Sequence, residues 1–134
     1  MSLAELTSTL SYAKRLKVGA VIVKGDSQII ATGYNGMPSG WDNNCEIKLE
    51  DETLKTRSEV LHAESNALMK VAKSTESSEG ATLFCTHAPC IECAKLIYQA
   101  GISTVYYKEQ YRDDSGLRFL TQGGINVHRF SDRT

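Results

Sequence analysis

Residues 80–107 read GATLFCTHAPCIECAKLIYQAGISTVYY, which predicts a strand, a helix and a second strand in succession. The apolar run at 81–86 is the first strand, and STVYY at 103–107 is the second. Pro89 stands at the start of the intervening helix, a position that favours proline, and a glycine ends this helix after residues 90–100. Helices that cross between consecutive strands are typical of the α/β class.

The chain on either side continues this alternation. A helix in residues 3–15 precedes two apolar strands at 18–24 and 28–34, which the turn between them predicts to pair as a hairpin. Residues 35–56 are rich in Gly, Asn and Asp and predict a long loop, a feature that tends to be functional. Two further helices and a last strand are predicted at 62–73, 115–122 and 126–130. The order β-β-α-β-α-β-α-β predicts a single domain over residues 1–134, with a mixed sheet covered by helices.

The charge balance of the chain limits its partners. The 134 residues include 15 Lys and Arg against 16 Asp and Glu, a formal net charge of −1. A non-specific binder of duplex nucleic acid carries a strong basic surface, so we expect no stable nucleic-acid partner. The apolar runs are too short to span a membrane, and residues 1–10 lack the features of a signal peptide. We therefore expect a cytoplasmic protein without a membrane partner.

Two short motifs stand at predicted helix starts. HAE at residues 62–64 begins one helix, and PCIEC at residues 89–93 begins the next. Each motif follows a loop. If the two helices are parallel neighbours, their starting ends meet at one edge of the sheet. That arrangement brings one imidazole and two thiols together.

These residue types at this spacing indicate a catalytic zinc site. Cys90 and Cys93 share one helix face, and the amide dipoles at a helix start favour the thiolate that a metal needs. With His62 they supply three ligands, which leaves the fourth position of a tetrahedral zinc open. Glu64 is two residues from a ligand and is the candidate general base for a water at that position.

The chain resembles the deoxycytidylate (dCMP) deaminase family of the zinc-dependent cytidine deaminase superfamily. The H-x-E and P-C-x-x-C motifs match the signature of that superfamily. The resemblance extends over about residues 12–111, with supporting segments at 18–21, 33–38, 62–67 and 90–101. It implies a cytidine-deaminase-like three-layer α/β/α sandwich with a five-stranded mixed sheet. It also implies a deaminase-type catalytic domain that holds one Zn²⁺ and hydrolyses dCMP to dUMP and ammonia, with zinc-hydroxide attack on C4 and Glu64 as the proton shuttle.

The same resemblance implies substrate and effector contacts. Asn35 would contact the sugar and base, the backbone at Ala63 would hold the pyrimidine carbonyl, and Tyr111 would pack near the base. Some members bind dCTP as activator and dTTP as inhibitor between the subunits of a hexamer, which implies a homo-oligomer here. A triphosphate effector would bring Mg²⁺, and the implied effector residues are Tyr34, Asn35, Gly36 and Arg15.

Basic residues are candidates for the substrate phosphate, because a guanidinium binds a phosphate through two hydrogen bonds. Arg15, Lys17, Arg57 and Arg112 are available in the sequence. We expect at least one of them to contact the phosphate, and we include Arg57 among the substrate-binding residues.

Other functions fit parts of this pattern. A deaminase of tRNA adenosine, cytosine or a free nucleoside shares the motifs, although an enzyme acting on tRNA is expected to have a clearer basic surface. A catalytically silent nucleotide-binding protein has no need of Glu64. A redox protein would use Cys90 and Cys93 as a disulfide pair. Cys85 is expected to be a buried hydrophobe, and Cys45 is expected to be a free loop thiol rather than a ligand of a second metal.

Overall fold

The computed structural model describes residues 1–25, 27–110 and 113–131, so the predicted substrate contact Tyr111 lies outside the described residues, as does Arg112. The helices are α1 (Ser2–Ser8), α2 (Ala63–Ala72), α3 (Ile91–Gln99) and α4 (Ser115–Gln122). The strands are β1 (Gly19–Lys24), β2 (Gln28–Tyr34), β3 (Glu46–Lys48), β4 (Leu54–Thr56), β5 (Thr82–His87), β6 (Thr104–Glu109) and β7 (Asn126–Arg129). None of the described helices is long and apolar enough to cross a membrane.

Five strands form one mixed sheet in the order β2-β1-β5-β6-β7. β1 runs antiparallel to both β2 and β5, which confirms the predicted hairpin, whereas β5, β6 and β7 are parallel. Parallel neighbours require crossovers, and α3 and α4 provide them. β2 and β5 run in the same direction, since each is antiparallel to β1. α3 begins just past the end of β5, and α2 begins beside the end of β2, where Ala63 lies against Gly33.

Helices cover the sheet on both faces. Consecutive residues of a strand point to opposite faces, so Gly19 and Ala20 of β1 face opposite ways. Gly19 lies against the backbone of α1, whereas Gly33, which pairs with Ala20, lies against the backbone of α2. α3 packs beside α2, and α4 packs beside α3. The core lies between this group of helices and the sheet, and the arrangement confirms the α/β/α sandwich with a five-stranded mixed sheet.

Gly33→Ala is expected to lower the free energy of unfolding by about 1–3 kcal/mol, the usual effect of overpacking a tight contact. A methyl group at this position would fall on the backbone of α2, at the carbonyl oxygen of Ala63 and the amide nitrogen of Ala67. Thermal or denaturant unfolding measures the loss. Gly36→Ala is the matched control, since a Cβ there meets nothing within 4 Å. Equal stability of the two variants would contradict the close approach of α2 to β2.

Two local predictions are wrong. The first helix ends at Ser8 rather than at residue 15, because the hydroxyls of Thr7, Ser8 and Thr9 bond to carbonyl oxygens three or four residues back and compete with helical bonding. The predicted loop at 35–56 contains the antiparallel hairpin of β3 and β4. These strands have only three residues each and are mostly exposed, so they show no apolar alternation.

Candidate active site

Two helix starts bring three metal-binding side chains together. His62 is the N-cap residue of α2, and Cys90 is the N-cap residue of α3, where its Sγ accepts a hydrogen bond from the backbone N–H of Cys93. The Nδ1 of His62 lies 3.2 Å from the Sγ of Cys93 and 3.5 Å from the Sγ of Cys90. All three ligand atoms lie within 4.8 Å of one another. The structure thus juxtaposes the donors that the two motifs predict.

The electrostatics of this cluster suit a soft dication. Hydrogen bonds from the Cys93 thiol and from His62 lower the pKa of Cys90 to about 4, so this sulfur is a thiolate at neutral pH. The hydrogen bond to Cys90 raises the pKa of Cys93, and burial raises it further. The pKa of His62 is raised chiefly by its hydrogen bond to Cys90. The two sulfurs and the imidazole nitrogen thus lie close enough together to be the nitrogen and sulfur ligands that zinc prefers.

Glu64 lies in the first turn of α2 and is only 4% exposed. Burial raises the pKa of its carboxyl group, and a hydrogen bond with Cys93 acts in the opposite direction. A carboxyl group whose pKa moves up toward neutrality can both accept and return a proton, which is the requirement for general acid–base catalysis. The side chain is therefore suited to the proton transfers predicted for it.

A cavity of about 490 Å³ opens beside these groups. His62, Ala63, Glu64 and Cys90 line it from the helix starts. The rest of the wall comes from the segment before β1, the residue after β2, the β3–β4 hairpin and the segment between β4 and α2: Ala13, Arg15, Leu16, Val18, Asn35, Glu46, Thr56 and Val60. Its volume lies within the range of small-molecule binding sites. The metal-binding groups and the buried carboxyl group thus face a space where a small substrate fits.

Asn35 has a structural role besides lining the cavity. Its Oδ1 accepts a hydrogen bond from the N–H of Val18 at 2.9 Å, and its Nδ2 donates to the carbonyl oxygen of Leu16 at 2.7 Å. The amide group therefore fixes the chain just before β1. Tyr34 and Gly36, its predicted neighbours in effector binding, line a separate cavity of about 390 Å³.

The structure places Arg57 apart from Asn35 and Ala63, the predicted substrate contacts that line the cavity. Its guanidinium donates to Asp42 at 3.0 Å and to the carbonyl oxygen of Asn44 at 2.9 Å, and it pairs with Glu59 at 3.4 Å. Arg57 is not among the described residues that line the cavity, whereas Arg15 is. Of the basic side chains proposed for phosphate binding that the structure describes, Arg15 is the one that lines the same cavity as the metal-binding groups.

Sequence reasoning missed the contribution of the β3–β4 hairpin to the cavity. Glu46 and Thr56 are opposite one another in that hairpin, and both line the cavity. No motif marks either residue, and neither adjoins the HAE or PCIEC segment in the sequence. Cys45 next to Glu46 is buried, with its Sγ 3.6 Å from the carbonyl oxygen of Asn43. Cys85 is fully buried in β5, as expected of a small hydrophobe.

Comparison with known proteins assigns the family. The family model described as "Cytidine and deoxycytidylate deaminase zinc-binding region" matches residues 1–109, which include both helix starts. The chain belongs to the cytidine and deoxycytidylate deaminase family. Membership in this zinc-binding family and the three clustered donors establish Zn²⁺ as the metal of this deaminase.

Relatives and solved structures agree with this assignment. ComE operon protein 2 of Bacillus subtilis is 39% identical to this deaminase, over 96% of this chain and 68% of the relative. Human deoxycytidylate deaminase is 37% identical, over 97% of this chain and 76% of the relative. The crystal structure of dCMP deaminase from the cyanophage S-TIM5, in complex with dCMP and dUMP, superposes with a TM-score of 0.88 at 51% identity. That match covers 96% of this chain and 92% of the phage chain.

Proposed function

We propose that this deaminase hydrolyses dCMP to dUMP and ammonia. The observation that carries the proposal is the position of the buried Glu64 carboxyl group beside His62, Cys90 and Cys93, at a cavity that also presents Arg15. The similarity to the human enzyme and to the phage dCMP deaminase supports dCMP as the substrate. His62, Cys90 and Cys93 are the proposed zinc ligands.

The proposed mechanism uses Glu64 to move protons. His62, Cys90 and Cys93 would hold a zinc ion, which when bound would supply a Lewis acid that makes a water molecule acidic enough to act as a nucleophile near neutral pH. Glu64 accepts a proton from this water, whose oxygen bonds to C4 of cytosine while Glu64 delivers the proton to N3. Glu64 then takes the remaining proton from that oxygen and transfers it to the amino nitrogen, the C4–N4 bond breaks as the C4 carbonyl forms, and ammonia leaves. The backbone at Ala63 is proposed to hold the pyrimidine carbonyl, and Asn35 to contact the sugar and base.

A substrate panel tests the proposed function. Purified protein incubated with dCMP should release ammonia and lose the absorbance of cytosine. Free cytosine, cytidine and tRNA are the comparison substrates, and each should react far more slowly than dCMP. Faster reaction with tRNA adenosine, cytosine or a nucleoside would assign this deaminase to another substrate. Binding of dCMP without any turnover would make it a silent nucleotide-binding protein.

Arg15→Gln is expected to raise the KM for dCMP by about tenfold, the usual loss for a hydrogen bond to a charged group. Its guanidinium is exposed at the cavity wall and donates to Thr56 Oγ1 at 3.2 Å, so it is available to a phosphate. Turnover of deoxycytidine, which has no phosphate, should stay unchanged. Arg118→Gln is the control, because this exposed side chain pairs with Asp114 on α4. An equal loss of activity on dCMP and deoxycytidine would exclude a contact between Arg15 and the phosphate. Arg57 would then again be the candidate for that contact.

We further propose that dCTP and dTTP regulate this deaminase at the separate 390 Å³ cavity, with Mg²⁺ accompanying the triphosphate. Tyr34 and Gly36 line this cavity with Lys70 and Lys73, and the Nζ of Lys70 lies 6.0 Å from the centre of the Tyr34 ring. Two lysines supply the positive charge that a triphosphate needs. Asn35, which stands between Tyr34 and Gly36 in the sequence, lines the catalytic cavity instead.

Lys73→Ala is expected to weaken this regulation. In the unchanged protein, dCTP with Mg²⁺ should raise activity at low dCMP, and dTTP should lower it. The variant should need about tenfold more of either effector, because one charge-assisted contact is lost. Lys24→Ala, on β1 and outside this cavity, is the control. A full response in Lys73→Ala would exclude this cavity as the effector site.

A homo-oligomer is proposed, with the hexamer of regulated relatives as the expected form. Leu3, Leu6 and Leu10 near the N-terminus are exposed, with exposed fractions of 37%, 65% and 59%, and Tyr12 follows at 64%. Apolar side chains clustered on a surface favour association between protein chains. Analytical ultracentrifugation measures the assembly directly, and a monomer at all concentrations would contradict the proposal.

A further inference from the structure

The β3–β4 hairpin carries part of the cavity wall but is not part of the five-stranded sheet. Its two strands form a separate two-stranded sheet and have three residues each, most of them exposed. A two-stranded hairpin is at best marginally stable in water by itself. Glu46 and Thr56, which line the catalytic cavity from this hairpin, therefore depend on contacts outside the strand ladder to stay in place.

An ion pair closes the end of this hairpin that lies opposite its turn. The guanidinium of Arg57, the residue after β4, donates to Asp42 Oδ1 at 3.0 Å and to the carbonyl oxygen of Asn44 at 2.9 Å. The backbone N–H of Arg57 also donates to the carbonyl oxygen of Cys45 at 2.8 Å. Asp42, Asn44 and Arg57 thus form a clasp that ties the chain before β3 to the chain after β4.

The side chain of Arg57 is engaged in this clasp rather than at the cavity. Besides Asp42 and Asn44, its guanidinium contacts Glu59 at 3.4 Å. The backbone N–H of Asn44 and the side chain of Arg57 lower the pKa of Asp42, so the pair is ionised at neutral pH. In the part of the chain that the structure describes, the wall of the catalytic cavity includes neither Asp42 nor Arg57.

The clasp adjoins the two residues that hold Arg15. Cys45 and Arg57 are the sequence neighbours of Glu46 and Thr56, which are opposite one another in the hairpin. Thr56 Oγ1 accepts a hydrogen bond from the guanidinium of Arg15 at 3.2 Å, and Glu46 Oε2 accepts one from its backbone N–H at 3.2 Å. A shift of the hairpin would therefore release Arg15, the proposed phosphate contact, at its backbone and at its side chain.

We propose that Arg57 is a positioning residue, which through its ion pair with Asp42 holds the β3–β4 hairpin where it presents Arg15 to the phosphate. This inference rests on the proposed function, since it takes dCMP as the substrate. The clasp raises the fraction of molecules whose cavity wall is complete, and the apparent affinity for a ligand falls in proportion to that fraction. Glu64 and the metal-binding groups lie on other elements, so the clasp acts on KM rather than on kcat.

Asp42→Asn distinguishes positioning from a direct contact between Arg57 and the phosphate. If Arg57 acts through the clasp, Asp42→Asn and Arg57→Gln each raise the KM for dCMP by about two- to fivefold, the size of an exposed ion pair, with kcat unchanged. The double variant should raise KM no further than Arg57→Gln does, because both substitutions remove the same contact. If Arg57 instead binds the phosphate, Asp42→Asn frees its guanidinium and removes a negative charge, so KM falls or stays the same.

A second ion pair in the same hairpin provides the matched control. Glu52 pairs with Lys48 at 3.8 Å near the turn, and Glu52→Gln should keep the KM of the unchanged protein. An unchanged or lowered KM in Asp42→Asn would overturn the proposal, and so would multiplied effects in the double variant. A loss of kcat or thermal stability without a change in KM would show a merely structural role and also overturn it. Failure of the unchanged protein to turn over dCMP would overturn the proposed function, and this inference with it.

Discussion

Glu64→Gln is expected to lower kcat for dCMP by about 1,000-fold, within the usual contribution of a general acid–base group. Glutamine keeps the shape of the side chain but cannot accept the proton of water and return it to N3. The residue is buried at the cavity, and its raised pKa arises from burial rather than from a structural ion pair. Initial rates measured by ammonia release give the effect directly.

Two controls separate loss of the proton shuttle from loss of the fold. Metal analysis of Glu64→Gln should still find about one zinc per chain, because the three proposed ligands are unchanged. Glu92→Gln should retain activity, since this exposed carboxylate on α3 pairs with Lys95 instead of facing the cavity. A Glu64→Gln protein that turns over dCMP at a near-normal rate would remove Glu64 from the mechanism.

Cys93→Ala is expected to lose both zinc and activity. The Sγ of Cys93 is one of three donors within 4.8 Å, and two remaining protein ligands are fewer than zinc sites ordinarily use. Activity should fall to background, a larger loss than that of Glu64→Gln, because the Lewis acid leaves with the metal. Elemental analysis of protein purified under reducing conditions measures the zinc content.

Matched variants make this result specific to the ligand set. Cys45→Ala and Cys85→Ala remove thiols that lie outside the cluster, and both should retain zinc. His62→Ala removes a ligand at an exposed position and should lose zinc without a large loss of stability. Zinc retained in both His62→Ala and Cys93→Ala would contradict the proposed ligands. Protein that never contains zinc would instead favour the redox role of Cys90 and Cys93.

The chemistry of the site was predictable from the sequence because it depends on local rules. Cysteines three residues apart share a helix face, and helix starts stabilise thiolates, so PCIEC by itself predicts two of the three donors in the cluster. The alternation of strands and helices predicts that two helix starts meet at one sheet edge. The structure places His62 and Cys93 3.2 Å apart, in agreement with that reasoning.

The cavity wall formed by the segment before β1 and by the β3–β4 hairpin was not predictable, because only tertiary contacts determine its shape. The chain between α1 and β1 has no regular structure, and its path is fixed by the side chains of Asn35 and Glu46, which lie 17 or more residues away in sequence. Isolated hydrogen bonds between distant residues leave no periodic pattern. For the same reason, nothing in the sequence alone favours Arg15 over Arg57 as the proposed phosphate contact.

The close packing of Gly33 against α2 has a consequence for how this enzyme can change over evolution. Because α2 lies directly on the sheet backbone, His62 and Glu64 are held at a closely packed helix start. The proposed phosphate contact Arg15 lies instead in the irregular segment between α1 and β1, against Thr56 of the β3–β4 hairpin. Substitutions in that segment and in the hairpin can therefore change the substrate preference, while the metal-binding residues and Glu64 stay the same.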